Sequence, residues 1–185
     1  GSTLGGGTTV NWSASFRTPD DVLHEWARDY GFSAASSADF QRSLDAICAR
    51  INVTTPDTCN NPLNNALADG CRALGYSIKP IPRNVQGCED CGFCNFGCAF
   101  GAKQGTLKTY LQDAHDRGAR IVVRGFVERI TQAAGSATGA QVRVTDADGG
   151  QHNVTIRAKV VVAAAGAPSN LCCGRPRPCS TRTSQ

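Results

Sequence analysis

The sequence predicts an α/β chain, more strictly an α+β assortment, in which a helical block leads into a β-meander. Three observations predict it. Apolar residues recur at helical spacing in three successive stretches of residues 18–75. After Gly118 the spacing drops to two. Residues 159–166 then form one continuous apolar run. At 185 residues, length alone suggests a single domain. A hydrophobic content of 41% with 18% charged residues fits a folded chain rather than a disordered one.

Residues 1–13 are glycine-rich and uncharged. Glycine tolerates positive φ and lets backbone N–H groups approach a phosphate closely. Successive N–H groups in such a turn make an anion nest. Thr8, Thr9 and Asn11 add side-chain donors. A flexible linker is the alternative reading.

Thr18-Pro19-Asp20-Asp21 predicts a helix start: hydroxyl N-cap, proline at the first helical position, acids in the first turn. Val22, Leu23, Trp26 and Tyr30 give it one apolar face, and Gly31 ends it. A second helix is expected from Ser37, with Phe40, Leu44, Ile47, Cys48 and Ile51 on one face. A third starts at Asn61-Pro62, is lined by Leu63, Leu67, Cys71 and Leu74, and stops at Gly75. Cys48 and Cys71 are therefore read as small core residues. His24 receives no role. Residues 79–82 form an extended connector.

Of ten cysteines, Cys88, Cys91, Cys94 and Cys98 crowd into eleven residues. Such clustering favours metal or redox chemistry over a secreted disulfide framework. The spacing is that of bacterial ferredoxin cluster ligands. Ala99 replaces the proline expected after the last cysteine, and no second run exists. Structural zinc is a second reading; a loop stiffened by reduced or paired cysteines is a third. Lys103, just beyond, is read as a solvated lysine, with a lysine facing an acidic partner as the alternative.

A helix is expected over 106–117, with Gly118 as its cap. Ile121-Val122-Val123 and 126–130 read as strands, the first short and buried. Residues 135–139 turn the chain, Val142 and Val144 alternate, 148–150 turn again, and Val154 and Ile156 alternate back. Residues 159–166 fit a strand buried on both faces of a parallel sheet. A ligand binds at the carboxyl end of such a strand, where Ala164, Ala165 and Gly166 leave room.

Leu4-Gly5-Gly6-Gly7-Thr8-Thr9-Val10-Asn11, followed by Arg17, resembles the first signature of the glucose–methanol–choline (GMC) flavoprotein oxidoreductases. Asn11-Trp12-Ser13-Ala14-Ser15 and the Cys91–Cys98 stretch resemble the long-chain fatty alcohol oxidase branch. The resemblance covers residues 1 to about 167. It implies part of a two-dinucleotide-fold FAD-binding domain, with Leu4, Gly5, Gly6, Thr8, Asn11, Trp12 and Ser13 along FAD. Many family members have glycine where this chain has Trp12. Val127 would lend its backbone to the adenine, and Ala165 and Gly166 would border the cofactor. Under this resemblance, a Lys103 facing the flavin is a further alternative to a solvated one. Some bacterial members of the family hold a cysteine-ligated iron–sulfur cluster, whereas the alcohol oxidases are described as flavin-only.

The organisation that follows is a flavin loop at 1–17, a helical block at 18–84, a Cys-rich loop at 85–105, and a helix plus meander returning to the FAD sheet at 106–167. Residues 168–185 fit neither pattern. Back-translated and read from the third base, Ser169 to Ser180 gives a Leu-Leu pair followed by Arg-Ser, which resembles the family continuation. A frameshift near residue 167 is therefore expected, or else a disordered tail. In the first case Cys172, Cys173 and Cys179 have no ligand role.

The expected activity is oxidation of a primary, long-chain alcohol to the aldehyde by hydride transfer to FAD, with oxygen or an electron-acceptor partner as the oxidant. No catalytic residue is assigned in the chain, because the family's C-terminal histidine and its His or Asn companion have no counterpart here. The Gly-x-Gly-x-x-Gly segment that holds the AMP half is also missing. Lacking an initiator Met, the chain is expected to start inside a longer protein. The alternatives are an iron–sulfur electron-transfer module built on Cys88–Cys98, or a gene fragment without function. Removing Arg175, Arg177 and Arg182 from a net charge of +4 leaves +1, so no nucleic-acid partner is expected. No apolar run of about 18 residues and no signal peptide is present. A cytoplasmic or membrane-associated location is expected.

Overall fold

A computed structural model describes residues 3–55 and 61–166. Cys59, the 168–185 tail and its three cysteines lie outside the described residues. The chain divides between Ala119 and Arg120 into two compact units, not the single domain that length suggests.

The first unit carries α1 (Gly7–Val10), α2 (Asp20–Asp29), a 3-10 turn (Ser33–Ser36), α3 (Ala38–Arg50), β1 (Val53–Thr54), α4 (Pro62–Ala73), β2 (Arg83–Asn84) and α5 (Tyr110–Asp116). Helix α2 begins one residue later than the sequence implies, with Pro19 at its N-cap and no side-chain cap. Ser37 caps α3, its Oγ accepting from the Phe40 N–H at 3.1 Å. Asn61 caps α4 in the same way through the Asn64 N–H at 2.8 Å, with Pro62 at the first helical position. The end of α4 is a Schellman motif. The Tyr76 N–H reaches the Cys71 carbonyl at 2.8 Å, and the Gly75 N–H reaches Arg72 at 3.1 Å. Gly75 sits at φ 74°, which explains why glycine marks the stop. Helix α5 is shorter than expected: residues 106–109 are turn, and only Tyr110–Asp116 is helical.

Residues 82–86 are the spine of this unit. β1 pairs with β2 antiparallel, Val53 opposite Asn84. Ala14 bridges to Arg83 and Val85 bridges to Lys103. The glycine-loop exit, the helical block and the Cys-rich loop are thereby fastened to one short segment. Among the described residues its apolar core is small: Leu23, Ala35, Ala68, Val85 and Ala102. Leu63, Leu67 and Leu74, expected inward on α4, are exposed; only Ala68 of that helix is buried.

The second unit is the meander: β3 (Gly125–Ala133), β4 (Ser136–Thr145) and β5 (Gln151–Arg157), in that order and antiparallel. Val142 faces Val127 on one side and Val154 on the other, and is buried. The first turn is tighter than 135–139. It is the two residues Ala134 and Gly135, both at positive φ, the geometry that matches strand twist.

Two strand expectations fail. Residues 121–123 are irregular and exposed. Residues 159–166 form no strand among the described residues, and Val162 is 81% exposed. An apolar run becomes a buried strand only when neighbours take its N–H and C=O groups, and no described strand pairs with either run. No described helix is long and apolar enough to cross a membrane.

Candidate functional site

The glycine loop is a turn that doubles back on itself. Its Gly6 N–H reaches the Thr3 carbonyl at 3.0 Å, with Gly5 at φ 91° and Gly6 at φ 55°. A Cβ on Gly5 would lie 2.8 Å from Thr9 Oγ1 and 3.2 Å from Leu107 Cβ, so only glycine fits. Gly6 and Gly7 meet nothing within 4 Å at that position. One face of the loop is therefore packed and the other open.

The packed face rests on residues 105–109. Thr8 Oγ1 donates to the Gly5 carbonyl at 2.6 Å and accepts the Thr106 N–H at 3.0 Å. Thr106 Oγ1 lies 2.9 Å from Thr8 Oγ1 and 3.0 Å from the Gly5 carbonyl. Gly105 is needed for this approach, since a Cβ there would stand 3.0 Å from the Thr8 carbonyl oxygen. The buried Thr109 hydroxyl donates to the Gly105 carbonyl at 3.0 Å and fixes the support in turn.

Lys103 is not solvated. It is 6% exposed, and its Nζ donates to the carbonyls of Thr9 (2.7 Å), Asn11 (2.8 Å) and Cys94 (2.5 Å). The first two acceptors belong to the glycine loop and the third to the Cys-rich loop. The signal in the sequence was that Lys103 is the lone charge among residues 91–107.

Asn11 and Ser13 form the exit of the loop. Ser13 is 0% exposed and at φ 65°, a region that non-glycine residues seldom occupy. Its N–H donates to Asn11 Oδ1 at 3.1 Å, and its carbonyl accepts from the Asn84 N–H at 3.2 Å. Its Oγ has no partner among the described residues. An orphaned buried hydroxyl next to an open glycine turn suits a polar ligand group.

Cys88, Cys91, Cys94 and Cys98 are free and half-buried, and line a cleft of about 620 Å³ with Trp12, Leu67 and Phe100. They share that wall without converging. No group of three or more His, Cys, Asp or Glu side chains among the described residues could hold a metal ion. Among the described residues the four cysteines line one cleft without forming a ligand set. Cys88 Sγ lies 3.9 Å from an Arg83 guanidinium nitrogen and 3.7 Å from Asp90 Oδ1. Burial pushes the Cys98 thiol up, but the backbone N–H groups of Lys103, Ala102, Phe100 and Gly101 draw it below its ordinary value.

Of the residues expected along a cofactor, Leu4, Gly5, Gly6, Thr8, Asn11, Trp12 and Ser13 lie together in the first unit. Val127 lies in β3, and Ala165 and Gly166 lie in the irregular stretch after β5, all within the second. Thr106 and Thr109 complete the loop's support and were not singled out by sequence; Lys103 was noticed there but read as solvated, whereas it is buried on three carbonyls.

A family model described as GMC oxidoreductase matches residues 1–170. Long-chain-alcohol oxidase FAO4B of Arabidopsis thaliana is 43% identical over 129 residues, covering 70% of this chain and 17% of that protein. Long-chain-alcohol oxidase FAO3 of the same plant is 34% identical over 175 residues, covering 90% of this chain and 24% of that protein. An uncharacterized GMC-type oxidoreductase of Mycobacterium tuberculosis, Rv0492c, is 34% identical over 168 residues and is covered to 26% of its length. The chain thus spans about a quarter or less of each of these relatives. No solved structure matches significantly.

Proposed function

The chain belongs to the GMC oxidoreductase family, and on that premise we propose that it forms part of the FAD cradle of an alcohol oxidoreductase acting on primary, long-chain alcohols. The observation that carries the reading is the glycine loop, packed on one face and open at Gly6 and Gly7 on the other. Such a turn lets an elongated anionic cofactor approach the backbone as no loop with side chains could.

The residues present fit that cofactor. Gly5 and Gly6 hold the turn, Thr8 fixes it to Thr106, and Asn11 and the orphaned Ser13 hydroxyl offer polar groups at its exit. When bound, the flavin supplies the hydride-accepting chemistry. The chain's own part is to bind and orient. It carries no assigned base for the alcohol proton. The names of the alcohol-oxidase relatives support a long-chain substrate, and oxygen or an electron-acceptor partner would take up the electrons.

The test is expression of the full-length gene product carrying this segment. A flavin absorption spectrum together with aldehyde formation from a long-chain alcohol supports the reading. A product that binds no flavin under saturating FAD rules it out.

A further inference from the structure

We propose that Lys103 is a positioning residue for the glycine loop, an internal cation that fixes the loop's ligand-facing N–H groups from behind. The part concerning flavin rests on the function proposed above.

An ammonium has three donors and no acceptor, and Lys103 uses all three on backbone carbonyls. Among the described residues it makes no salt bridge, so its charge is buried among dipoles rather than neutralised by a carboxylate. A buried cation of this kind is costly unless its surroundings are arranged for it. Here the arrangement has a consequence for the loop. In a trans peptide the N–H points opposite to the C=O, and the chain has no cis peptide among the described residues. With the carbonyl of Asn11 held on Nζ, the N–H of Trp12 is turned away from Lys103. The Thr9 carbonyl fixes the preceding turn of the loop in the same way. Trp12 stands where many family members have glycine, and its side chain is exposed. Through its Cys94 bond, the same ammonium makes the Cys-rich loop the wall that holds the glycine loop in place.

The experiment uses the full-length gene product with Lys103→Met, which keeps length and loses charge, and Lys103→Ala. Alanine leaves a space matching n-propylammonium, which can restore the three donors. Lys103→Met is expected to weaken FAD binding by at least about tenfold, the scale of lost hydrogen bonds to a charged group. In Lys103→Ala, n-propylammonium restores FAD affinity and the amide protection of Asn11 and Ser13, whose N–H groups are bonded to the Gly7 carbonyl and to Asn11 Oδ1, and tetramethylammonium does not. Lys103→Met with wild-type FAD affinity overturns the proposal. So does equal rescue by both cations, or a Lys103→Ala protein that fails to fold with and without n-propylammonium. If the wild-type protein takes up no FAD, the proposed function fails by itself. Exchange in the flavin-free Lys103→Ala protein, with and without n-propylammonium, then still decides the positioning role.

Discussion

The hydroxyl oxygens of Thr8 and Thr106 lie 2.9 Å apart, across a sequence separation of 98 residues. Their contact closes the glycine loop onto the segment after the Cys-rich loop. Thr8 serves three partners at once: the Gly5 carbonyl, the Thr106 N–H and the Thr106 hydroxyl. Thr8→Val keeps the shape and strands the Thr106 N–H. The expected loss is about 1–3 kcal/mol, the range for a buried group left unsatisfied. Thr8→Ser keeps the hydroxyl and should recover most of it. Urea denaturation of the three proteins checks this; a Val variant as stable as wild type would show that the contact holds nothing.

In the meander, Gly139 opposes Arg157, and a Cβ on it would lie 1.9 Å from the Ile156 carbonyl oxygen. Backbone cannot yield as a flexible side chain can. Gly139→Ala must push β5 away from β4 near the end of their ladder. A cost of at least about 1–3 kcal/mol is expected from overpacking alone. Three strands around a single buried valine have little stability to spare. Circular dichroism should show loss of strand signal in the variant at temperatures where the parent keeps it.

The elements that sequence foretold best are those whose ends are written in local chemistry. Ser37, Asn61-Pro62 and Gly75 each satisfy or release a specific backbone group, and each helix boundary follows from them. The meander was legible for the same reason, since alternation around Val142 needs only its two neighbours. The family also was legible, in Leu4 to Asn11. What failed depended on partners far away in sequence. The run at 159–166 specifies burial but not what buries it, and the same holds for Leu63, Leu67 and Leu74. Cysteine spacing fixes how far apart four sulfurs are along the chain, not whether they meet: they share a cleft wall, and no group of three converges among the described residues. Lys103 was misread because a lysine is usually exposed, and the three carbonyls that enclose it come from two separate stretches.

Acid should weaken the first unit through one ion pair. Arg50 grips Asp113 with two bonds, Nε to Oδ2 at 2.7 Å and an outer nitrogen to Oδ1 at 2.5 Å, joining α3 to α5. The hydrogen bonds from Arg50 hold the Asp113 carboxyl below its ordinary value, partial desolvation opposes them, and the charges of Arg50 and Arg117 add to the lowering. A carboxylate with a depressed folded-state pKa stabilises fully above its unfolded pKa of about 3.9. That contribution is lost as the pH falls through the lower, folded-state value. Comparing Asp113→Asn with the parent, the stability difference should stay constant from about pH 5 to pH 7 and shrink below about pH 4. A difference that instead grows on acidification contradicts the pairing.

The open apolar faces predict how the 185-residue chain behaves by itself. Leu63 is 78% exposed and Leu74 72%, on the helix whose pattern marks them as inward. Trp12, Phe16 and Val162 are exposed as well. Large apolar side chains left exposed at positions patterned for burial mark places meant to be covered. The loop that would meet FAD is likewise only one part of a cradle, since the chain has no Gly-x-Gly-x-x-Gly segment for the AMP half. The isolated chain should therefore self-associate at micromolar concentration, bind an apolar dye, and lose FAD on gel filtration. Leu63→Ser with Leu74→Ser should reduce the association without restoring FAD. Sedimentation velocity and the flavin absorbance of the eluted peak measure both. A monomer that carries one FAD through the column would mean that the glycine loop and its Lys103 anchor are a sufficient site, and that the open faces belong to something other than the cradle.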